Sequence, residues 1–430
     1  MKKLLLVSTA LAGVALMSAP ASAAVKLDLG GFFRGYGVYA DNNEATGAGS
    51  SLYKFEFRRD AELHANGETT LDNGLTIGAH AELKIANGAN SVLADEEYAY
   101  ASGGWGRFNL GVEDGSAYLL QVAAPSADSN VDGMRVTIQA LNMNTSTADF
   151  TDLQALSGNS GAFLGNVDYQ QADFRQADRL TYLTPKFNGF QAGASFAPKQ
   201  GITSNTGSMA FDEDGIAYHD DTLGTNSAAD YKNLWEASAR YDGEFEGFGF
   251  GIGGGYSDSS IEAKPTTADL TLAAFDDGDY YLNEGIRTWN AGLNIASQGF
   301  SLGGAYKHAL TTRITNTDEG GTDNFQEGDI TSKTWVVGAA YDNGDYHVGA
   351  SYLKNKTELD AIINGADSGN IDKSALDTTK YAVGGGYTFG PGMTFRGAVA
   401  WGKFDDKTAS STPDDDNRFT QVTVGTDIQF

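Results

Sequence analysis

From residue 25 onward, apolar and polar residues alternate with period two rather than 3.6, which predicts strands with one apolar face. In "LYKFEFRRDAELHA", Phe55, Phe57, Ala61 and Leu63 share one face, and Lys54, Glu56, Arg58, Asp60, Glu62 and His64 share the other. "TWVVGAAYDNGDYHVGASY" places Trp335, Val337, Ala339 and Tyr341 before Asp342-Asn343-Gly344, a strong hairpin signal, and Tyr346, Val348, Ala350 and Tyr352 after it. The same plan recurs in "WEASARYDGEFEGFGFGIGGGY", "TWNAGLNIASQGFSLGGAYK" and "KYAVGGGYTFGPGMTFRGAVAWGK". Short turns lie at one end of each pair. Long polar segments lie at the other, at 198–233, 258–284, 308–329, 354–376 and 404–417. The hairpins count to about sixteen strands, an even number as closure of an antiparallel barrel requires.

The faces decide between a barrel and a sandwich. Tyr241 and Phe248, Tyr341 and Tyr346, Tyr387 and Phe389, and Phe187 and Phe190 flank turns, as an aromatic girdle at a membrane interface does. The opposite faces carry Arg240, Asn290, Asn294, Ser301, His347, Ser351, Lys380 and Arg396, a poor sandwich core but a suitable wetted lumen. The sequence therefore predicts an all-β fold: a transmembrane antiparallel β-barrel with short periplasmic turns and long extracellular loops. The last strand, "VTVGTDIQF", puts Val422, Val424, Thr426, Ile428 and Phe430 toward lipid. It is expected to pair with the first strand near "VKLDLGGFFRGYGVY", so that neither edge stays open.

Residues 1–23, with Lys2, Lys3, an apolar run from Leu4 to Met17 and Ala21-Ser22-Ala23, read as a cleaved signal peptide, leaving 24–430 as the barrel. The run is shorter than the ~20 residues of a spanning helix. Composition agrees with strands and turns: 55 Gly, 23 Phe and 20 Tyr stand against 7 Pro. Without cysteine, the exported chain has neither disulfides nor thiolate metal sites. The net charge of -27, or -29 once Lys2 and Lys3 leave, excludes nucleic-acid binding.

Several stretches together resemble the general (trimeric) porins of Gram-negative outer membranes. These are "LGGFFRGYG", "AELHANGETTLDNGLTIGAHAEL", "GGWGRFNLG", "RLTYLTPKFNGFQAGASF" and the terminal Phe430. The resemblance spans nearly the whole mature chain. It implies an outer-membrane homotrimer among lipid and lipopolysaccharide, passing ions and small hydrophilic solutes by passive diffusion. It also implies that Phe430 and Ile428 are read by the barrel-assembly machinery, and that the third loop folds inward and narrows the pore.

The longest break in the strand pattern, 113–176, stands at that loop's position. It is acidic, with Asp114, Asp128, Asp132, Asp149, Asp152, Asp168 and Asp173 against Arg135 and Arg175. The family has a basic cluster on the facing wall, for which lumen parity selects Arg34, Lys54 and Arg58, then His80 and Lys84. Opposed rows of charge would set a transverse field across the gap, and the acidic excess would favour cations modestly. The Pro-Glu-Phe-Gly-Gly-Asp motif of enterobacterial members is absent, and Val112 stands where they often carry arginine. Arg59 has lipid parity, which costs about 2–4 kcal/mol at mid-membrane unless a bulge, snorkelling or a subunit contact relieves it.

Other signals are weaker. "GFGFGIGGGY" opens no helix, so it is not a dinucleotide site. "NTDEGGTDNFQE" has calcium-loop spacings at Asn316, Asp318, Gly321 and Glu327, but no leading Asp. No cofactor is expected beyond Ca2+ or Mg2+ held by the acidic external loops. An enzyme is not expected, because no lipid-facing Ser and His pair emerges from the five histidines. The alternative function is an adhesin or receptor barrel acting through its acidic loops.

Overall fold

The computed structural model of the chain describes residues 25–42, 54–85, 92–126, 169, 171, 177–199, 210–211, 217–218, 231–261, 279–318, 323–362, 371–406 and 416–430. The signal segment 1–23 and most of the third loop lie outside these residues.

The first strands are β1 (Lys26–Asn42), β2 (Phe55–Thr70), β3 (Thr76–Ile85), β4 (Val92–Gly103) and β5 (Gly106–Glu113). One helical turn follows, α1 (Ser116–Leu119), then β6 (Ala177–Leu183) and β7 (Phe190–Lys199). A minor pair, β8 (Ala210–Phe211) and β9 (Ala217–Tyr218), precedes β10 (Tyr231–Phe245), β11 (Phe248–Ile261), β12 (Asp279–Ser297) and β13 (Phe300–Asp318). The chain ends with β14 (Asp323–Asn343), β15 (Tyr346–Ile362), β16 (Ile371–Gly390), β17 (Met393–Asp406) and β18 (Asp416–Gln429). All except β8 and β9 close into one sixteen-stranded barrel in which each strand pairs with its sequence neighbour and β1 pairs with β18. The expected barrel and its strand number are therefore observed.

The seam is sealed at its end by two backbone hydrogen bonds. Gly31 N–H donates to the Phe430 carbonyl (3.0 Å), and Phe430 N–H donates to the Gly31 carbonyl (3.1 Å). The hairpin at Asn343-Gly344 forms as predicted, with Asn343 opposite Tyr346 and Gly344 at φ 65°, a conformation glycine adopts without a Cβ clash. Arg59 faces outward and is exposed. It sits opposite Gly35 in an unbroken ladder, so no bulge relieves it.

Two aromatic rows ring the outside. The row beside the turns includes Phe300 against Tyr341 (4.4 Å between centroids) and Tyr346 against Tyr387 (4.8 Å). A second row, not noticed in the sequence, includes Phe196–Trp235 (4.2 Å), Tyr306–Trp335 (4.2 Å) and Tyr352–Tyr381 (5.0 Å). Trp335 to Tyr341 spans ~20 Å of strand at ~3.3 Å per residue, close to the height of an outer-membrane apolar band. Leu302, Val337, Val348 and Val383 are exposed between the rows, as lipid-facing residues must be.

The external segments need a correction. Positions 308–329 and 354–376 are expected as loops, yet β13 continues to Asp318, β14 starts at Asp323, β15 runs to Ile362 and β16 starts at Ile371. "LTTRITNT" is rich in β-branched residues, and each extension satisfies its backbone on the open ladder of its neighbour. Of the calcium-loop spacing, Gly321 lies outside the described residues, and the flanking residues are paired in the same ladder. Asn316 pairs with Phe325, Ile314 with Glu327 and Asp318 with Asp323, so these residues stand along two paired strands.

Phe430→Ala should lower the rate of assembly more than the conductance of channels that do form, because the seam bonds at residue 430 are backbone bonds. Pulse-chase fractionation of the outer membrane checks this, and equal accumulation of variant and wild type would refute it.

Candidate functional site

After β5 the chain turns into the lumen and runs along the inner wall as a strap. Its root, Asp114 to Leu120, lies against β6, β7, β10 and β11. Ser116 N–H donates to Ser195 Oγ (2.8 Å), Ala117 N–H donates to Glu236 Oε2 (2.9 Å), and Ser238 Oγ donates to the Ser116 carbonyl (2.7 Å). Glu236 is itself buried and paired with Arg179 Nη1 at 3.1 Å, with both side chains almost inaccessible. Further along, Arg240 donates to the Gln121 carbonyl (3.4 Å), and Nε2 of His347 on β15 lies 3.1 Å from the Ser126 carbonyl of the strap.

The wall makes room for this strap with missing side chains. A Cβ at Gly292 would overlap the Val122 carbonyl oxygen, and one at Gly338 would overlap the Pro125 carbonyl oxygen. At Gly255 it would crowd the Cβ of Ala117 at 2.8 Å. The glycine-rich β11 sequence thus serves close backbone approach. Between these contacts an apolar patch closes the interface, with Ala124 and Tyr169 packed on Ala305, Val336 and Leu353. Tyr169 is fully buried, its hydroxyl donates to the Val122 carbonyl (3.2 Å), and burial pushes its phenol pKa upward. Gln171 completes the network through Gln121, Ser257 and Asn290. Asn290, Arg240 and His347, read from sequence as water-facing lumen residues, therefore hold the strap.

The strap contacts fall on β6, β7 and β10–β15, and the wall of β1–β4, β17 and β18 carries an ion-pair network. Arg34 lies 3.5 Å from Asp60 and over the Phe32 ring at 4.0 Å. Lys54 pairs with Asp41 at 2.6 Å on the exposed rim, and that hydrogen bond raises the Lys54 pKa. Arg58 pairs with Glu56, and Lys84 reaches both Glu62 (3.2 Å) and Asp95 (3.6 Å). His80 Nε2 lies 3.0 Å from Glu82. Each of these five basic residues has a carboxylate at its side, so together they form a mixed network rather than an open row of cations. Parity gives Arg396 only as a lumen residue; in the structure it pairs with Asp427 (2.7 Å), which also accepts a hydrogen bond from Tyr36 (2.5 Å). The signal in the sequence is the lumen parity of Asp427, which stands between the outward Thr426 and Ile428.

Of the acidic strap residues, Asp114 is buried at the root, where its N–H donates to Glu96 Oε1 (3.3 Å). Asp128, Asp132, Asp149 and Asp152 lie outside the described residues, as do Asp168, Asp173, Arg135 and Arg175. Ile428 faces outward on the last strand beside Phe430.

A family model described as Gram-negative porin matches residues 8–407. Among solved structures, the chain is similar to an anion-selective porin from Comamonas acidovorans, at 16% identity over 95% of this chain and 100% of that one (TM-score 0.53). It is also similar to in-vitro folded OmpT, an outer membrane protein of Vibrio cholerae in trimer form, at 12% identity over 95% and 100% (TM-score 0.52). The outer membrane channel DcaP of Acinetobacter baumannii matches at 10% identity over 94% and 97% (TM-score 0.51). No curated protein sequence matches the chain.

Two substitutions test the strap's seat. Glu236→Ala leaves Arg179 buried without its carboxylate and frees the Ala117 N–H, which should destabilise the barrel by about 3–5 kcal/mol and lower its heat-denaturation temperature on gels. Gly292→Val should push the Val122 backbone more than about 1 Å off the wall to restore an ordinary contact. Single-channel conductance should then fall, since the strap has only the lumen to move into.

Proposed function

Because the chain belongs to the Gram-negative porin family and forms an outer-membrane channel for passive diffusion, we propose that it passes ions and small hydrophilic solutes with a modest preference for cations. The observation that carries the sign is the pairing of the open wall. Arg34, Lys54, Arg58, Lys84 and Arg396 each have a carboxylate neighbour, so these cations do not form an open basic row facing the solute. The acidic content of the third loop and the net charge of -27 act in the same direction. An anion-selective porin shares the fold at 16% identity, but selectivity resides in wall charges that such a likeness does not transfer.

The proposal includes a homotrimer. The outer face of β1–β5 has a groove of about 650 Å3 with Gly67, Ala99 and Ala101 as its floor and Val25, Ile77, Phe108 and Leu110 around it. Phe57, Leu27 and Leu29 extend this apolar face, and the partner barrel is its natural cover. OmpT of Vibrio cholerae is described in trimer form, which supports the reading. Lipopolysaccharide is a further partner. Lys333, Lys356, Lys403 and Arg418 have outward parity above the upper aromatic row, where lipid phosphates lie. The barrel-assembly machinery would read Phe430 and Ile428. No catalysis and no cofactor form part of this reading, apart from Ca2+ or Mg2+ at the acidic external segments.

Reversal potentials in asymmetric KCl test the preference. Cation-selective sign is expected at low salt, weakening as the Debye length falls from about 10 Å at 0.1 M to about 3 Å at 1 M. Asp128→Asn with Asp132→Asn should shift the potential toward anions, and Arg34→Gln with Arg58→Gln toward cations. An anion-selective wild type would refute the charge assignment, and liposomes showing no conductance would favour an adhesin. Native mass spectrometry from mild detergent checks the trimer, which a monomer would refute.

A further inference from the structure

Strands β2, β3 and β4 bring two imidazoles and three carboxylates to one patch of the lumen wall. The register sets His64 opposite Glu82 and Glu82 opposite Glu96, with His80 one step nearer the turns, opposite Tyr98. Glu82 Oε1 lies 3.0 Å from His80 Nε2 and 3.5 Å from His64 Nδ1. The donor atoms of His80, Glu82 and Glu96 all fall within 4.8 Å of one another, and so do those of Glu62, His64 and Glu82, so Glu82 joins two overlapping triads. Ligand atoms about 2.0–2.2 Å from a tetrahedral zinc ion stand roughly 3.3 Å apart, close to the spacing of Glu82 Oε1 from the two imidazoles.

The surroundings of His64 point the same way. Its other ring nitrogen, Nε2, lies 3.2 Å from Glu62 Oε2, and Glu62 Oε1 is 3.2 Å from Lys84 Nζ. A ligating histidine usually gives its second N–H to a carboxylate, which fixes the tautomer and aims the free nitrogen at the metal. Glu62, steadied by Lys84, stands where that carboxylate belongs. The patch opens to the lumen, with His64 at 33%, His80 at 16% and Glu82 at 18% side-chain exposure, so an ion entering with solvent reaches it.

We propose that His64, His80, Glu82 and Glu96 form a binding site for a transition-metal dication of the Zn2+ class, with Glu62 as a positioning residue. The paired imidazoles set the class. Ca2+ and Mg2+ prefer shells of oxygen, whereas imidazole suits Zn2+, Ni2+ and Cu2+. A chain of histidine–glutamate ion pairs is the competing account of the same distances. It does not by itself bring Glu96 within 4.8 Å of both His80 and Glu82. Glu96 also accepts the N–H of Asp114, so a bound ion would add positive charge at the root of the strap. The site stands whichever sign of selectivity the pore has.

The test is titration calorimetry of the purified full-length barrel in detergent with ZnCl2, run with and without about a thousandfold excess of MgCl2. One Zn2+ per chain that Mg2+ does not displace is expected. His64→Ala with His80→Ala should remove that ion, and Glu62→Gln should weaken it by about 10-fold or more. Zn2+ should also change single-channel conductance reversibly on chelation in the wild type but not in the double variant. Glu82→Gln, which keeps the packing, gives the same readout should the double variant fail to run as a folded barrel on an unheated gel. Unchanged stoichiometry in these variants, or equal competition by Mg2+, would overturn the proposal.

Discussion

A peptide group without a partner in hydrocarbon costs several kcal/mol, and every other feature of this molecule is arranged around meeting that requirement. The chain meets it by pairing each barrel strand with both neighbours and returning β18 to β1, with Gly31 and Phe430 exchanging backbone bonds at the last step. Once the wall is closed, its inner face has a fixed circumference that side chains alone do not fill. The strap occupies part of that space. It stays there because the wall withdraws its side chains at Gly292 and Gly338 and offers hydrogen bonds at Ser195, Ser238 and Glu236.

The same closed wall governs the electrostatics. Side chains that point inward from adjacent strands stand within reach of one another, so a basic residue on the lumen face meets the carboxylate of its neighbour before it meets a solute. Arg34 with Asp60, Lys84 with Glu62, and Arg396 with Asp427 all follow from cross-strand placement. Such pairs hold side chains in defined positions and leave the sign of the field to the groups in excess.

The barrel was legible because its information is local and periodic. Alternation in "LYKFEFRRDAELHA", the Asn343-Gly344 turn and the aromatic residues beside turns each report on their own strand. What depended on distant partners was not legible. The glycines of "GFGFGIGGGY" show in the sequence only as an excess, and nothing nearby says that Ala117 and Val122 will lie against this wall. His347 and Asn290 read as water-facing by parity, but parity gives the side of the sheet and not what covers it. Parity gives the face of β3 on which His80 stands. Its relation to His64 and Glu96 needed the stagger of three strands, including the irregularity after Glu82, which no single strand encodes. The polar stretch 308–329 carries no loop signal beyond hydrophilicity, and above the membrane a paired strand has no need of an apolar face.

The height of the wall has an electrical consequence. β14 begins at Asp323, ~40 Å of strand before Trp335 in the upper aromatic row, and its partners β13 and β15 extend with it. On that side the pore is therefore a tube longer than the membrane is thick. A solute crosses a protein-walled vestibule before it reaches the strap, and the vestibule's resistance lies in series with that of the constriction. Widening the constriction alone would then return less than a proportional gain in current, because the unaltered vestibule would carry a growing share of the total drop.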